Sequence, residues 1–378
     1  MLTPQHYDQA EDEAAIHLSN RLIMVFQPEL FQHGGFPSRV DRIEALWRFA
    51  DTMHDGRWES TFREMLMGGL TDEEFELMRE IARVAANLTG KHYARRIVPT
   101  DSLARAMNVF RHIRYIHPDP NATIFEVGPG SGYLGALLAL AGYRYVSTDV
   151  TQALYLYQSH LMSELLPGRM IELATDPRSM ADFDSLEPGT ALHVPWWKWA
   201  SPHPDFRLKA NLVTANHCLC ELHDWALAYT LKVSANMLSA DPEGAFLFEG
   251  WGSTALHPMW AVSKEFADNG FGIAHNDILA CVYVRGDGGG MANGLRFPLH
   301  RALLNPPAPP TPEELYHPPI WVTPFNPVSA RIIQGRVQSM QNVRHSASTC
   351  LGALKAESGM DDLQSDDDKF AKFVSRIP

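Results

Sequence analysis

A chain of 378 residues, 45% hydrophobic and 20% charged, has the make-up of a folded globular protein, with material for one large domain with additions or two modest ones. Its formal net charge of -12 argues against a surface built to track nucleic-acid phosphates, so small molecules or proteins are the expected partners. Four cysteines, Cys218, Cys220, Cys281 and Cys350, form no disulfide framework in a chain of this size, and C-L-C alone is too sparse for zinc; they read as buried thiols of a reducing cytoplasm.

The start MLTPQHYDQAEDEAA carries acids where a signal peptide carries lysines and arginines. The longest apolar run, YLGALLALAGY at 133–143, falls well short of the roughly 20 residues a membrane span needs. A cytoplasmic protein without membrane contact is therefore expected.

Up to residue 117 the spacing predicts helix after helix and no strand, with apolar residues at helical intervals in RVDRIEALWRFADTM and DEEFELMREIARVAANL. Thr71 and Glu74 form a capping box, and Gly90 stands where a left-handed C-terminal cap belongs, predicting a helix over 72–88. Another is predicted to run from Asp101 until Pro118 ends it.

From residue 118 strands and helices alternate. ATIFEV, a glycine turn, a helix through Leu140, YRYVSTDV and a helix through Leu165 make a β-α-β unit. ALHV at 191–194, NLVTAN at 211–216, a helix from about Leu219 and GAFLFEG at 244–250 extend it into a doubly wound, mostly parallel sheet. After the helix PMWAVSKEFADNG, the strand ACVYVRGD and the segment LRFPLHRAL, joined by GGGMANG, are expected to pair antiparallel. Beyond Asn305 the composition shifts to proline, read as an extended strap with a short helix at Thr311–Leu315 and an acidic, mobile tail. The expected organisation is a helical region at 1–117 that caps the site or pairs subunits as a homodimer, an α/β domain at 118–304, and the strap and tail at 305–378.

The stretch EVGPGSGYLG at 126–135 holds two glycine patterns at once. From Gly130 it fits the G-x-G-x-x-G of a dinucleotide site; from Glu126 it is the acid-then-three-glycines form of S-adenosylmethionine (SAM) sites. Gly128, Gly130 and Gly132 allow a sharp strand-to-helix turn and close approach of a ligand to main-chain amides in either case. Glu126 separates the two, because an acid at the end of the first strand can position the methionine ammonium, whereas a dinucleotide has no cation there. Asp149 closes the second strand, 17 residues after Gly132, where a carboxylate accepts ribose hydroxyls. The reversed strand at the end of the sheet also favours SAM, and Gly135 then reads as a residue for close helix-to-sheet packing.

With those features the chain resembles a class I SAM-dependent methyltransferase over roughly residues 120–300. It is similar in particular to the bacterial putative sugar O-methyltransferases, in the helix DVTQALYLYQSHLM, the turn HVPWW at 193–197 and the Asn216-to-Leu222 stretch NHCLCEL. The resemblance implies a Rossmann-like fold, SAM as cofactor, and Val150, Trp196 and Asn216 beside Glu126, the glycines and Asp149 in the cofactor site. LHDW at 222–225 resembles the H-D-W of small-molecule O-methyltransferases, although there the histidine lies about one helical turn nearer the strand than His223 does.

Methyl transfer to a hydroxyl needs alignment, exclusion of water and a proton acceptor. Ligands of open α/β sheets sit beyond the carboxyl ends of the strands, so NHCLCELHDW is the expected source of the base. His217 is the first choice, Glu221 is placed to orient it or the acceptor, and His223 is the third candidate. Trp251 is placed to line the acceptor side, and Glu249, Asp149 and Glu221 form no carboxylate cluster dense enough to predict a metal. The expected activity is O-methylation of a sugar or related polar small molecule. An aromatic or natural-product hydroxyl is the alternative, and a non-catalytic scaffold the competing class.

Overall fold

A computed structural model describes residues 1–26, 37–54, 56–93, 95–200, 207–238, 243–249, 259–277, 279–285 and 327–358. Helices α1 (Pro4–Ala15) and α2 (Asn20–Val25), a 3-10 turn at Ile43–Phe49, α3 (Trp58–Glu64), a short strand β1 (Gly69–Leu70), α4 (Asp72–His92) and α5 (Asp101–Ile116) come first. The alternating part follows as β2 (Thr123–Val127), α6 (Tyr133–Leu140), β3 (Arg144–Asp149), α7 (Gln152–Leu165), β4 (Met170–Glu172), β5 (Ala191–Pro195) and the single turn α8 (Trp196–Trp199). It continues with β6 (Leu212–Thr214), α9 (Asp224–Met237), β7 (Ala245–Phe248), α10 (Met259–Asp268), β8 (Phe271–Asn276) and β9 (Cys281–Arg285). Helix α11 (Pro327–Asn342), β10 (His345–Ser346) and α12 (Ala347–Ser358) close the described chain.

Among the described residues, eight strands form one sheet in the order β4-β5-β3-β2-β6-β7-β9-β8. The pairs from β4 to β7 are parallel, and β9 runs antiparallel to both β7 and β8. Strands such as TIFEV and AFLF are buried at every position, as a sheet covered on both faces requires. With its reversed strand inserted next to the last position, this is the Rossmann-like fold of class I methyltransferases. The reversal differs in detail from expectation. ACVYV supplies the antiparallel strand, but its partner is FGIAHN upstream rather than LRFPLHRAL, which lies outside the described residues. FGIAHN carries no clear strand period in the sequence, because its burial does not alternate and a register shift falls between Ile273 and His275.

The helical region is a second layer on the sheet's helices. Helix α6 is apolar all round because α4 and α5 cover the side that the sheet does not. The Thr71–Glu74 capping box forms as expected, but α4 runs on to His92. Gly90 therefore sits inside the helix, where the Arg96 side chain packs across it and the Ile97 N–H donates to Thr89 Oγ1 at 2.9 Å. β1, unforeseen in this region, pairs with β10. The proline strap with its short helix at Thr311–Leu315 and most of the acidic tail lie outside the described residues; over 327–358, α11 packs on α5 and β8, and α12 on α3 and α4.

Two polar clusters lock these layers. Arg111, 1% exposed, forks onto both oxygens of Glu74 at 2.7 Å and donates to the carbonyls of Leu66 and Gly69, also at 2.7 Å. Arg336 of α11 reaches Asp277 beyond β8 and His112 of α5 together. Burial pushes the Asp277 carboxyl up, but hydrogen bonds from His275 and Arg336 outweigh it and hold the group well below the usual carboxylate range.

Breaking a buried pair leaves an uncompensated charge. Arg111→Met is expected to cost about 3–5 kcal/mol in chemical denaturation; a loss within the ordinary surface range of about 0.5 kcal/mol would show that the pair does not hold the cap.

Candidate functional site

A cavity of about 410 Å³ opens at the carboxyl ends of β2, β3, β6 and β7, within the range of roughly 300–1,000 Å³ common for small-molecule sites. The sheet side is Glu126 to Leu134, Thr148 to Thr151, Asn216 to Cys218, and Glu249. The opposite wall comes from the helical region: Phe26, Ser38, Phe49, Thr52, Met53, and Ser102, Arg105, Ala106 and Val109 of α5. Residues of the N-terminal region thus form one wall of the cavity.

The glycine loop is fixed from both sides. Gly130 has φ +57° and nothing within 4 Å of where a Cβ would lie, so its backbone faces open cavity. Behind it, Ser131 Oγ donates to the Phe49 carbonyl at 2.8 Å and lies 3.2 Å from Thr52 Oγ1, while the Tyr133 hydroxyl donates to the Ala50 carbonyl. Gly135 serves packing, as expected: a Cβ there would lie 2.2 Å from Tyr145 Cζ. The room it leaves lets the Tyr145 hydroxyl reach Glu126 Oε2 at 2.6 Å.

Glu126 is 2% exposed, and its other oxygen lies 3.5 Å from Asn216 Nδ2. Desolvation by burial pushes its carboxyl up to about 7, against the pull of the Tyr145 and Asn216 hydrogen bonds. Asp149 is also buried; the Thr151 N–H donates to its Oδ1 and Gln158 Nε2 to its Oδ2, both at 2.8 Å. Burial nevertheless raises it to about 6. Two buried acids held by neutral donors make a place for a cationic, hydroxyl-bearing ligand. Glu126, the loop amides at the start of α6 and Asp149 fit SAM, offering an acid to its ammonium, N–H groups to its carboxylate and an acceptor to its ribose.

His217 follows β6 with φ +58°, an uncommon conformation outside glycine and one that stores strain where the surroundings enforce it. The Glu249 carbonyl enforces it by accepting the His217 N–H at 2.9 Å. His217 Nε2 lies 3.6 Å from Glu249 Oε2, and both residues line the cavity. The partner is thus Glu249 from the end of β7 rather than Glu221. The expected helix from Leu219 is a 3-10 turn, Leu219–Glu221, that breaks at extended Leu222 before α9 begins, so no helical turn joins residues 217 and 221. Glu221 still lines the cavity.

His223 is exposed and outside the lining; its Nδ1 accepts the Trp225 N–H at 3.3 Å as the N-cap of α9. Trp196 is turned away too. Its indole donates to Glu11 and stacks with Phe26, while Trp199, at the other end of the same turn, reaches the cavity and stacks on Phe125 at 4.8 Å. Val150, Asn216 and the three loop glycines line the cavity as expected, whereas Trp251 lies outside the described residues. Glu249 has its sequence signal as another acid at the carboxyl end of a parallel strand, after Glu126 and Asp149. Among the described residues no helix is long and apolar enough to cross a membrane.

No protein-family model matches the chain, and no curated protein sequence matches it significantly. Among solved structures, the SAM-bound magnesium protoporphyrin IX methyltransferase of Synechocystis is 16% identical over 50% of this chain and 85% of its own, with a TM-score of 0.32. The SAM-bound amino pentose methyltransferase of calicheamicin biosynthesis from Micromonospora echinaspora is 13% identical over 49% of this chain and 92% of its own, TM-score 0.35. A sugar N-methyltransferase from Streptoalloteichus is 14% identical over 49% and 88%, also at TM-score 0.35. Likenesses this distant identify neither substrate nor reaction.

An ammonium ligand binds the ionised form of Glu126. Its affinity is therefore lost as pH falls through about 7 and saturates above it. S-adenosylhomocysteine (SAH) is expected to bind about tenfold more tightly at pH 8 than at pH 6 by calorimetry, with proton release near pH 7. Equal affinity at both values would mean that Glu126 does not face the ammonium.

Proposed function

We propose that the protein is a SAM-dependent methyltransferase that methylates a hydroxyl of a sugar or related polar small molecule, with His217 as general base. The observation that carries this reading is one cavity lined both by the acids of the glycine loop, Glu126 and Asp149, and by the His217–Glu249 pair one and two strands away. SAM bound there supplies a methyl carbon activated by its sulfonium leaving group.

The chain's own residues have separate tasks. The His217 imidazole would take the proton of the acceptor hydroxyl through the ring nitrogen turned away from Glu249, while the Glu249 carboxylate, 3.6 Å from Nε2, orients the ring and stabilises the imidazolium formed. Glu221 offers a carboxylate to further hydroxyls of the acceptor. The wall formed by Phe49, Met53 and α5 keeps water from the reacting atoms. The apolar side chains Phe26, Phe49, Met53, Val109 and Leu222 favour a second reading, in which the hydroxyl belongs to an aromatic acceptor. A scaffold would have no need of the glycine loop with both its buried acids.

His217→Ala is expected to lower kcat roughly 10²–10⁴-fold while leaving SAH affinity unchanged, and Glu249→Gln to act in the same direction but less. Methyl transfer to matched panels of sugars and phenols reads the base and the acceptor class together. An unchanged rate in the His217 variant removes it from the mechanism.

A further inference from the structure

Two of the stretches that resemble sugar O-methyltransferases, the helix containing Gln158 and the turn beginning at His193, meet behind the cofactor wall. Gln158 of α7 is buried, and its Nε2 donates both to the Gly130 carbonyl at 2.6 Å and to Asp149 Oδ2 at 2.8 Å. Both partners can only accept, which fixes the amide's orientation. Its Oε1 therefore accepts from His193 Nε2, 2.9 Å away. The other ring nitrogen, Nδ1, faces a second acceptor, Glu172 Oε2 of β4, at 3.2 Å. The buried ring thus stands between Gln158 and Glu172, with Nε2–H on the amide oxygen and Nδ1 on the carboxylate. Tyr155 lies flat on the imidazole, with centroids 3.7 Å apart and planes 11° apart, and its hydroxyl donates to the other oxygen of Glu172.

We propose that Gln158 and His193 are positioning residues for the ribose contact: a relay from Glu172 through His193 and Gln158 clamps the Asp149 carboxylate and the Gly130 backbone in one fixed relation. The relay deepens the SAM reading of the cavity and rests on it. Asp149 Oδ1 is held by the Thr151 N–H and Oδ2 by Gln158, so the plane of the carboxylate is set and the remaining lone pairs are offered to a vicinal diol. Gly132 is part of the same fit. A Cβ at that position would lie 3.0 Å from Gln158 Cγ, so the Gln158 side chain would have to give by a few tenths of an ångström. Gln158 thus couples the loop that meets one part of the ligand to the acid that meets another, and selects a ligand with an intact ribose diol.

The test uses the full chain and compares calorimetric affinities for SAH, adenosine and 2′,3′-dideoxyadenosine. Wild type is expected to bind SAH and to prefer adenosine over its dideoxy analogue roughly tenfold or more. Gln158→Ala and His193→Gln are expected to bring that preference close to one; Glu172→Gln, at the less buried end of the relay, is expected to reduce it while keeping the fold. Folded variants that keep the wild-type preference overturn the proposal, as does a wild type that binds SAH without preferring the diol. Long-range proton–nitrogen NMR of the wild type gives a reading free of any folding defect: a proton on His193 Nε2 is expected, and a ring whose Nε2 carries none overturns the relay. A wild type with no affinity for SAH is a different failure, since it removes the SAM reading itself.

Discussion

The carboxylate of Glu126 is enclosed at the end of β2, where burial raises it to about 7. Keeping an acid there without a cation is unfavourable, and the surrounding structure is arranged around that cost. Gly135 gives up a side chain so that Tyr145 can lie against α6, and the Tyr145 hydroxyl donates to the acid. Asn216, bonded to Thr214 and accepting the Glu249 N–H, approaches it from β6. Folding alone gains little from such a group; a ligand with a positive charge beside the glycine loop gains a great deal. The same logic extends to Asp149, and to the strained backbone of His217 held by Glu249.

The helical layer makes these electrostatics effective. An open strand-end cleft would leave the two acids in water, with ordinary carboxylate behaviour and little hold on a cation. Phe49, Thr52 and Met53 lie across the glycine loop, and α5 closes the far wall. Those elements are in turn locked by Arg111 on Glu74 and by Arg336, which joins the C-terminal helix to α5 and the edge of the sheet. Residues far apart in sequence thus determine whether the site is dry.

Much of this was legible in the chain because the signals were local. Buried strands read as short apolar runs, three glycines after a strand read as a ligand turn, and Glu126 and Asp149 stood at strand ends, where their register fixes their direction. Gly135 was assigned correctly to packing for the same reason. What escaped depended on neighbours distant in sequence. Gly90 has the composition of a helix cap, yet the returning chain at Arg96 and Ile97 packs on it and the helix continues. His217 pairs with Glu249 across two strands, a relation that no spacing within NHCLCEL could reveal. In HVPWWKW a single helical turn decides which indole meets the cavity, and it selects Trp199 over Trp196. The helices over 327–358 lay hidden because they bury only narrow faces against α3, α4 and α5, leaving Ile333, Val337 and Met340 exposed and their apolar period indistinct.

The central claim is that the enclosed acids and the glycine loop hold SAM and no dinucleotide. Thermal unfolding of the purified protein with saturating SAH, SAM, NAD or NADP tests it directly, because a ligand that binds the folded state at a hundred times its dissociation constant stabilises it by about 2.7 kcal/mol. The expected result is a clear rise in Tm with SAH and SAM and none with NAD or NADP. A rise with NAD or NADP, and none with SAH, would contradict it.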